Sequence, residues 1–252
     1  MKKLSLIAGM LLVAATASAQ FANTNSKTGA KSVDTDNYNR ITFSWNPTTF
    51  DYDYKGVDNL TLNGLSLGYT AGISLSKQYP MFIELGARVN YAFKTQDYFE
   101  GSYGTDDDEY TEEMIDAIFN KHNTTDTYVN IAVPVNFAYK FKVGKDFAIT
   151  PYLGVVLKAN IIALKSYNFE LTEDAIDFGM EKAEWDKDAT DYFSKKSVGK
   201  DYMWNRFQIG WNIGAGFDYK KFYFGLSYGT DFMQIAKRIS TSNYAITLGV
   251  NF

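Results

Sequence analysis

Residues 206–219 read RFQIGWNIGAGFDY. Phe207, Ile209, Trp211, Ile213, Ala215, Phe217 and Tyr219 fall on one parity. Arg206, Gln208, Gly210, Asn212, Gly214, Gly216 and Asp218 fall on the other. A period of two held this long is a β-strand with one apolar face and one small or polar face. The run stops at Lys220-Lys221 and restarts at once as FYFGLSYGTDF, 222–232, where Phe222, Phe224, Leu226 and Tyr228 oppose Gly225, Ser227 and Gly229. Two alternating runs joined by two residues predict a hairpin.

Six further runs share the pattern: 40–45, 65–75, 81–93, 128–141, 147–160 and 243–252. From Leu65 onward each run is 10 to 14 residues long. A soluble strand averages about 5 or 6 residues, whereas a tilted membrane-spanning strand needs about 9 to 11. The connections 76–80, 142–146 and 220–221 are short, and 51–64, 94–127, 161–205 and 233–242 are long. Long and short alternate along the chain. This predicts an all-β fold over residues 40–252: an eight-stranded antiparallel up-and-down transmembrane β-barrel with short periplasmic turns and long extracellular loops. Lipid supplies no hydrogen-bond partner, so the sheet has to close.

The face with fewer apolar residues carries Glu84, Arg88, Lys140, Lys158, Arg206 and Asp218. A dry soluble core does not accept such charges unpaired. The apolar face is therefore expected to point outward. The charges are expected to form a polar plug in the lumen with Asn90, Asn130, Asn136, Gln208 and Asn212, in space left by inward glycines. Eight strands leave just enough interior for side chains, which favours a plug over a pore. Aromatic girdles are expected at both ends, one through Tyr139, Phe141, Phe147, Phe217, Tyr219, Phe222, Phe224 and Phe252, the other through Tyr91, Phe93, Phe207, Tyr228 and Phe232.

Residues 1–19 read as a signal peptide: Lys2 and Lys3, an apolar stretch from Leu4 to Val13, then Ala17-Ser18-Ala19 before Gln20. The stretch is too short and too rich in Ala, Ser and Thr for a spanning helix. A polar periplasmic arm, 20–39, follows, and the outer membrane is the expected location. Of 252 residues, 17% are aromatic and none is cysteine. Disulfides, thiolate metal sites and a lipid-anchored amino terminus are thereby excluded. A net charge of −4 argues against nucleic acid as a partner.

Residues 94–126 and 163–202 hold 20 of the 29 acidic residues. A solvated, repelling surface is the expected reading. Asp106, Asp107, Asp108 and Glu109 are a weak candidate for a divalent cation, since clustered hard oxygens suit Ca²⁺ or Mg²⁺, but their spacing fails the EF-hand pattern. Thr111–Phe119 predicts a short helix capped by Thr111, with Met114, Ile115, Ile118 and Phe119 on one face. Residues 172–185 form a similar run with Ala175, Ile176, Met180 and Trp185. These faces are expected to pack on each other or on the barrel rim, the alternative being a partner-binding surface.

Catalytic patterns fail when weighed. Gly64-Leu65-Ser66-Leu67-Gly68 matches a nucleophile elbow, but it opens a long strand rather than a strand-to-helix turn, so Ser66 is expected to be a lumen hydroxyl. His122, the one imidazole, sits near Asp126 with no second element to fix its geometry, and a solvated loop residue is the expected reading. No catalytic residue and no cofactor is implied.

TAGISLSKQYPMFIELGARVNYAF (70–93), RFQIGWNIGAG (206–216) and YAITLGVNF (244–252) together resemble the small outer-membrane β-barrel proteins of Bacteroidetes, the PorT-like group. The terminal aromatic Phe252 on an alternating last strand resembles the signal read by the barrel-insertion machinery. The resemblance implies an eight-stranded barrel and no single activity, since such barrels serve as adhesins, secretion accessories and structural anchors. Expected partners are outer-membrane lipid, the insertion machinery and a surface or secretion protein, with a small channel as a further possibility.

Overall fold

A computed structural model of the chain describes residues 35–99, 112–143, 146–185 and 187–252. The signal segment 1–19, most of the arm 20–39, Thr111 and the cluster Asp106–Glu109 lie outside the described residues. The chain divides into two compact units. The first comprises residues up to Ala92, Val129–Ile161 and Asn205–Phe252; the second comprises Phe93–Tyr128 and Ile162–Trp204.

The strands are β1 (Tyr38–Trp45), β2 (Thr48–Tyr52), β3 (Leu60–Ser74), β4 (Met81–Asp97), β5 (Phe119–Tyr139), β6 (Phe141–Lys142), β7 (Phe147–Leu171), β8 (Thr190–Asp191), β9 (Phe207–Tyr219), β10 (Phe222–Asp231) and β11 (Ile239–Asn251). The neighbour order runs β1-β11-β10-β9-β7-β5-β4-β3, and β3 pairs back to β1. This is a closed ring of eight strands. Arg40 stands opposite Asn251 on one side and Thr70 on the other. β2 continues the first strand after a break at Asn46-Pro47, pairing β3 and β11 as β1 does. Pro47 has no N–H to give a ladder, and the Asn46 N–H donates to the Gly64 carbonyl at 2.9 Å. A side chain on Gly64 would lie 2.1 Å from the Asn46 carbonyl oxygen, so the break requires glycine there.

The two faces have opposite chemistry, as the alternation predicts. Ile41, Phe43 and Leu67 are 52%, 53% and 63% exposed, whereas Arg40, Glu84 and Asp218 are 3%, 3% and 4% exposed. The interior is not wholly polar. Phe50, Leu62, Phe82 and Ile235 are fully buried, and the Phe82 ring lies 5.3 Å from that of Tyr38. Expected girdle residues are exposed at both ends of strands, including Phe141, Tyr219, Phe222 and Phe252 at one and Phe207, Tyr228 and Phe232 at the other.

Several boundaries differ from expectation. β4 runs on to Asp97, β5 begins at Phe119 and β7 continues to Leu171, so much of 94–127 and 161–205 is strand rather than loop. In the β4 and β5 extensions backbone pairing persists while strict apolar alternation does not, and the β7 extension keeps it only over its end, residues 166–171. In the second unit α1 (Glu112–Ile118), α2 (Glu173–Asp177), a 3₁₀ turn (Lys182–Glu184) and α3 (Lys195–Val198) connect the strands. Phe119 is strand, not the helix end predicted for it.

Short helices do not persist on propensity alone. Here α1 and α2 are held by packing: Ile115, Phe119, Phe169, Leu171 and Ala175 form a buried core, with Phe99, Ile118, Tyr167, Met180 and Trp185 against it. The two predicted apolar runs thus pack on each other through Ile115, Ile118, Phe119, Ala175, Met180 and Trp185, whereas Met114 and Ile176, expected on the same faces, are exposed. Thr172 caps α2, its Oγ1 accepting from the Ala175 N–H at 3.2 Å and donating to the Ala117 carbonyl at 2.7 Å. Glu173 and Asp174 suit the positive helix end.

Candidate functional site

Arg40, from β1, organises the interior of the first unit. Its Nε donates to Asn251 Oδ1 at 2.9 Å. Its Nη2 lies 3.3 Å from Asp218 Oδ1, and its Nη1 lies 3.5 Å from Glu84 Oε1. The guanidinium carbon sits 3.4 Å above the Tyr223 ring. Both carboxylates have further donors. Tyr38 Oη donates to Glu84 Oε1 at 2.5 Å, Asn136 Nδ2 to Glu84 Oε2 at 3.3 Å, and Asn251 Nδ2 to Asp218 Oδ1 at 2.7 Å. A buried cation shared by two carboxylates, each with extra hydrogen bonds, is the arrangement that offsets desolvation.

Two smaller groups extend this polar lining. Asn46 donates to Asn90 at 3.0 Å, and Asn90 donates to Asn130 at 2.6 Å. Lys158 Nζ lies 2.9 Å from Asp231 Oδ1, and Thr241 Oγ1 donates to Asp231 Oδ2. Asn160 Nδ2 donates to Gln208 at 3.0 Å. Gln208 and Asn212 are buried.

Of the charges predicted inside, Glu84 and Asp218 meet at Arg40 and Lys158 pairs with Asp231. The Arg88 stem packs where Gly68 has no side chain, and its Nε has no partner among the described residues. Lys140 is half-buried, with Nζ 5.4 Å from the Tyr38 ring. Arg206 is exposed. The strand begins one residue later, at Phe207, so parity no longer directs the Arg206 side chain inward.

Arg40, Tyr38, Tyr223 and Asp231 were not among the predicted lumen groups, yet they complete the network. Parity in the sequence points to Tyr223, and the structure adds a second regularity. Tyr223 lies on the parity opposite to Phe222 and Phe224. The glycines match inward rings: a side chain on Gly72 would meet the Tyr38 ring at 2.3 Å, and one on Gly216 would meet the Tyr223 ring at 2.4 Å.

The second unit carries a different arrangement. His122, on β5, is mostly buried rather than a solvated loop residue. Its Nδ1 lies 2.8 Å from Asp97 Oδ1 and its Nε2 lies 3.4 Å from Asp116 Oδ1. Asp126, the neighbour expected from sequence, instead accepts from Tyr192 Oη at 3.1 Å and lies 4.0 Å from Lys165 Nζ. Burial pushes the Asp126 carboxyl above its ordinary range, while Lys165 and the Tyr192 hydroxyl pull it back. Tyr192 stacks on Trp204 at 4.4 Å. On the surface, the hydrogen bond from Lys121 holds the Glu170 carboxyl below its usual range. Ser66 is buried on β3 opposite Ser44, a lumen hydroxyl on a regular strand. Among the described residues no group of three or more potential metal ligands comes together.

No protein-family model and no curated protein matches this sequence. Solved structures do match. The attachment invasion locus protein Ail of Yersinia pestis, in complex with the heparin analogue sucrose octasulfate, is 9% identical, over 86% of this chain and 99% of that one, with a TM-score of 0.42. Neisserial surface protein A is 10% identical, over 85% and 97%, at 0.40. The outer membrane enzyme PagL is 9% identical, over 82% and 98%, at 0.40. At such identities the likeness concerns fold and says nothing of activity.

Proposed function

We propose that this chain is an integral outer-membrane β-barrel protein, exported by its amino-terminal signal, with a plugged, non-conducting lumen and no enzymatic activity. The observation that carries the reading is the inversion of the barrel. Closed strands expose continuous apolar rows while a guanidinium and two carboxylates are buried, the solution suited to hydrocarbon outside and an internally paired polar interior. The ion cluster around Arg40 argues for a plug rather than a channel. Both nitrogens of His122 face carboxylates, the geometry of a structural clamp rather than of a base directed at a nucleophile.

The acidic second unit, with its own aromatic core, is the part we assign to adhesive or partner-recognition work at the cell surface. The resemblance to PorT-like barrels of Bacteroidetes favours a second reading, a secretion or assembly accessory acting through its periplasmic turns and residues 20–39. The cluster Asp106–Glu109 stays a proposal for a surface cation site.

The test is fractionation followed by conductance. The mature chain is expected in the outer-membrane fraction, soluble only with detergent, as a heat-modifiable band that gives no steady current in planar bilayers. Recovery as a dispersed monomer without detergent refutes the membrane reading. A stable single-channel current refutes the plug. Loss of surface adhesion on deleting residues 172–200, with export intact, supports recognition, and the converse supports the accessory reading.

A further inference from the structure

We propose that the outward face of β11, together with the adjoining turn Lys220-Lys221, binds one anionic diacyl phospholipid. The acyl chains lie along Leu248 and Val250 and the phosphate sits at the two lysines. The inference rests on the membrane reading above and adds a specific ligand to it.

The register builds the groove. Val250 lies between Ile41 of β1 and Phe222 of β10, and Leu248 lies between Phe43 and Phe224. All six side chains point outward. The β11 side chains are short aliphatics, whereas phenylalanines stand on β10 and Phe43 stands on β1. Short side chains between taller ones leave a trough, and a groove of about 740 Å³ is lined by these residues. That volume is in the range of small-molecule sites, and its walls offer an alkyl chain an almost wholly apolar lining.

One end of this groove is charged. Lys220 and Lys221 immediately precede Phe222, and both are exposed. Neither takes part in an ion pair among the described residues. Lys220 adopts a left-handed backbone (φ 55°) in the two-residue turn, and its Nζ lies 5.5 Å from the ring of Tyr219, which also lines the groove. The turn is fixed on both sides: the Lys220 N–H donates to the Asp146 carbonyl at 2.9 Å, and the Asn251 N–H donates to the Lys221 carbonyl at 2.7 Å. The turn that carries both lysines is thus fixed at one end of an apolar trough, with Lys220 Nζ beside Tyr219 and the exposed Asp146 as the neighbouring acid at that rim. A phosphodiester carrying two acyl chains matches both halves. A zwitterionic headgroup brings its own cation to two lysines and gains less.

The experiment uses the full mature chain, inserted in nanodiscs of phosphatidylglycerol and phosphatidylcholine in equal amounts, released into mild detergent and weighed by native mass spectrometry. One retained lipid is expected, with phosphatidylglycerol preferred by about thirtyfold, the scale of two lysines at an anionic surface. K220Q/K221Q is expected to bring the preference near one. V250W, which fills the trough and keeps both lysines, is expected to lose the retained lipid altogether. Equal retention of the two lipids by the wild type, or an unchanged preference in K220Q/K221Q, overturns the proposal. So does efficient cross-linking of two copies through L248C, which makes this face a dimer interface. A chain that never enters the membrane refutes the membrane reading and the lipid site together. A heat-modifiable barrel without lipid preference refutes the lipid site alone.

Discussion

Arg40→Met is the most informative single change. The side chain keeps an unbranched apolar stem, ends two heavy atoms short of the guanidinium nitrogens and loses its charge. Two buried carboxylates, Glu84 at 3.5 Å and Asp218 at 3.3 Å, then lose the cation they share. Breaking a buried pair by removing one partner costs about 3–5 kcal/mol. The stacking of the guanidinium on Tyr223 at 3.4 Å disappears as well, a contact worth up to about 2 kcal/mol when desolvated. Remaining donors, Tyr38, Asn136, Asn251 and Thr150, soften the loss. A net cost of about 4 kcal/mol is expected, roughly a thousandfold in the folded-to-unfolded ratio. The assay is urea unfolding of the barrel in lipid vesicles, followed by tryptophan emission and by the heat-modifiable band. The midpoint should fall with its slope unchanged. Neutralising both acids in R40M/E84Q/D218N should restore most of the loss, because neutral amides are still hydrogen-bonded there. A cost under about 1 kcal/mol for R40M, or no recovery in the triple variant, refutes the idea that this cluster holds the interior together.

Three further outcomes follow from the geometry. Gly72→Leu drives a side chain into the Tyr38 ring and should cost about 1–3 kcal/mol, with partial rescue by Tyr38→Ala in the same unfolding assay. The raised acid Asp126 binds its proton more readily folded than unfolded. The second unit should therefore weaken as pH climbs from 3.8, the ordinary value, to the raised one, and stay level above it; amide exchange of residues 119–128 in wild type and D126N reads this, and identical pH profiles reject it. Glu170→Gln, by contrast, removes only the exposed partner of Lys121 and should leave the thermal midpoint unchanged.

How far the sequence foretold this structure depends on which solvent each face meets. Where one face meets hydrocarbon, alternation is enforced residue by residue, and β9, β10 and β11 appear within a few residues of their predicted bounds. In the second unit the rule is kept over residues 166–171, which face the aromatic core, and lapses elsewhere. Asn120-Lys121-His122-Asn123-Thr124-Thr125 is polar on both parities, yet it is strand because its backbone has strand partners. Sequence periodicity is blind to that. The lumen was half legible for a related reason. Parity gave inward placement of Glu84 and Asp218, and the same parity marks Arg40 and Tyr223. Which charge meets which depends on register between strands far apart in sequence, a tertiary property. Arg206 failed at a strand edge, where one residue decides whether parity applies.

The pairing of β1 with β11 joins the beginning of the barrel to its end, 211 residues apart at Arg40 and Asn251. Contacts of such separation form late, because chain entropy must be given up before they gain anything. Asn251 bonds both Arg40 and Asp218, so the ionic latch inside the barrel is complete only when the final strand arrives. Zipping the seam and drying the latch are one event, which makes the last strand the committing step of assembly.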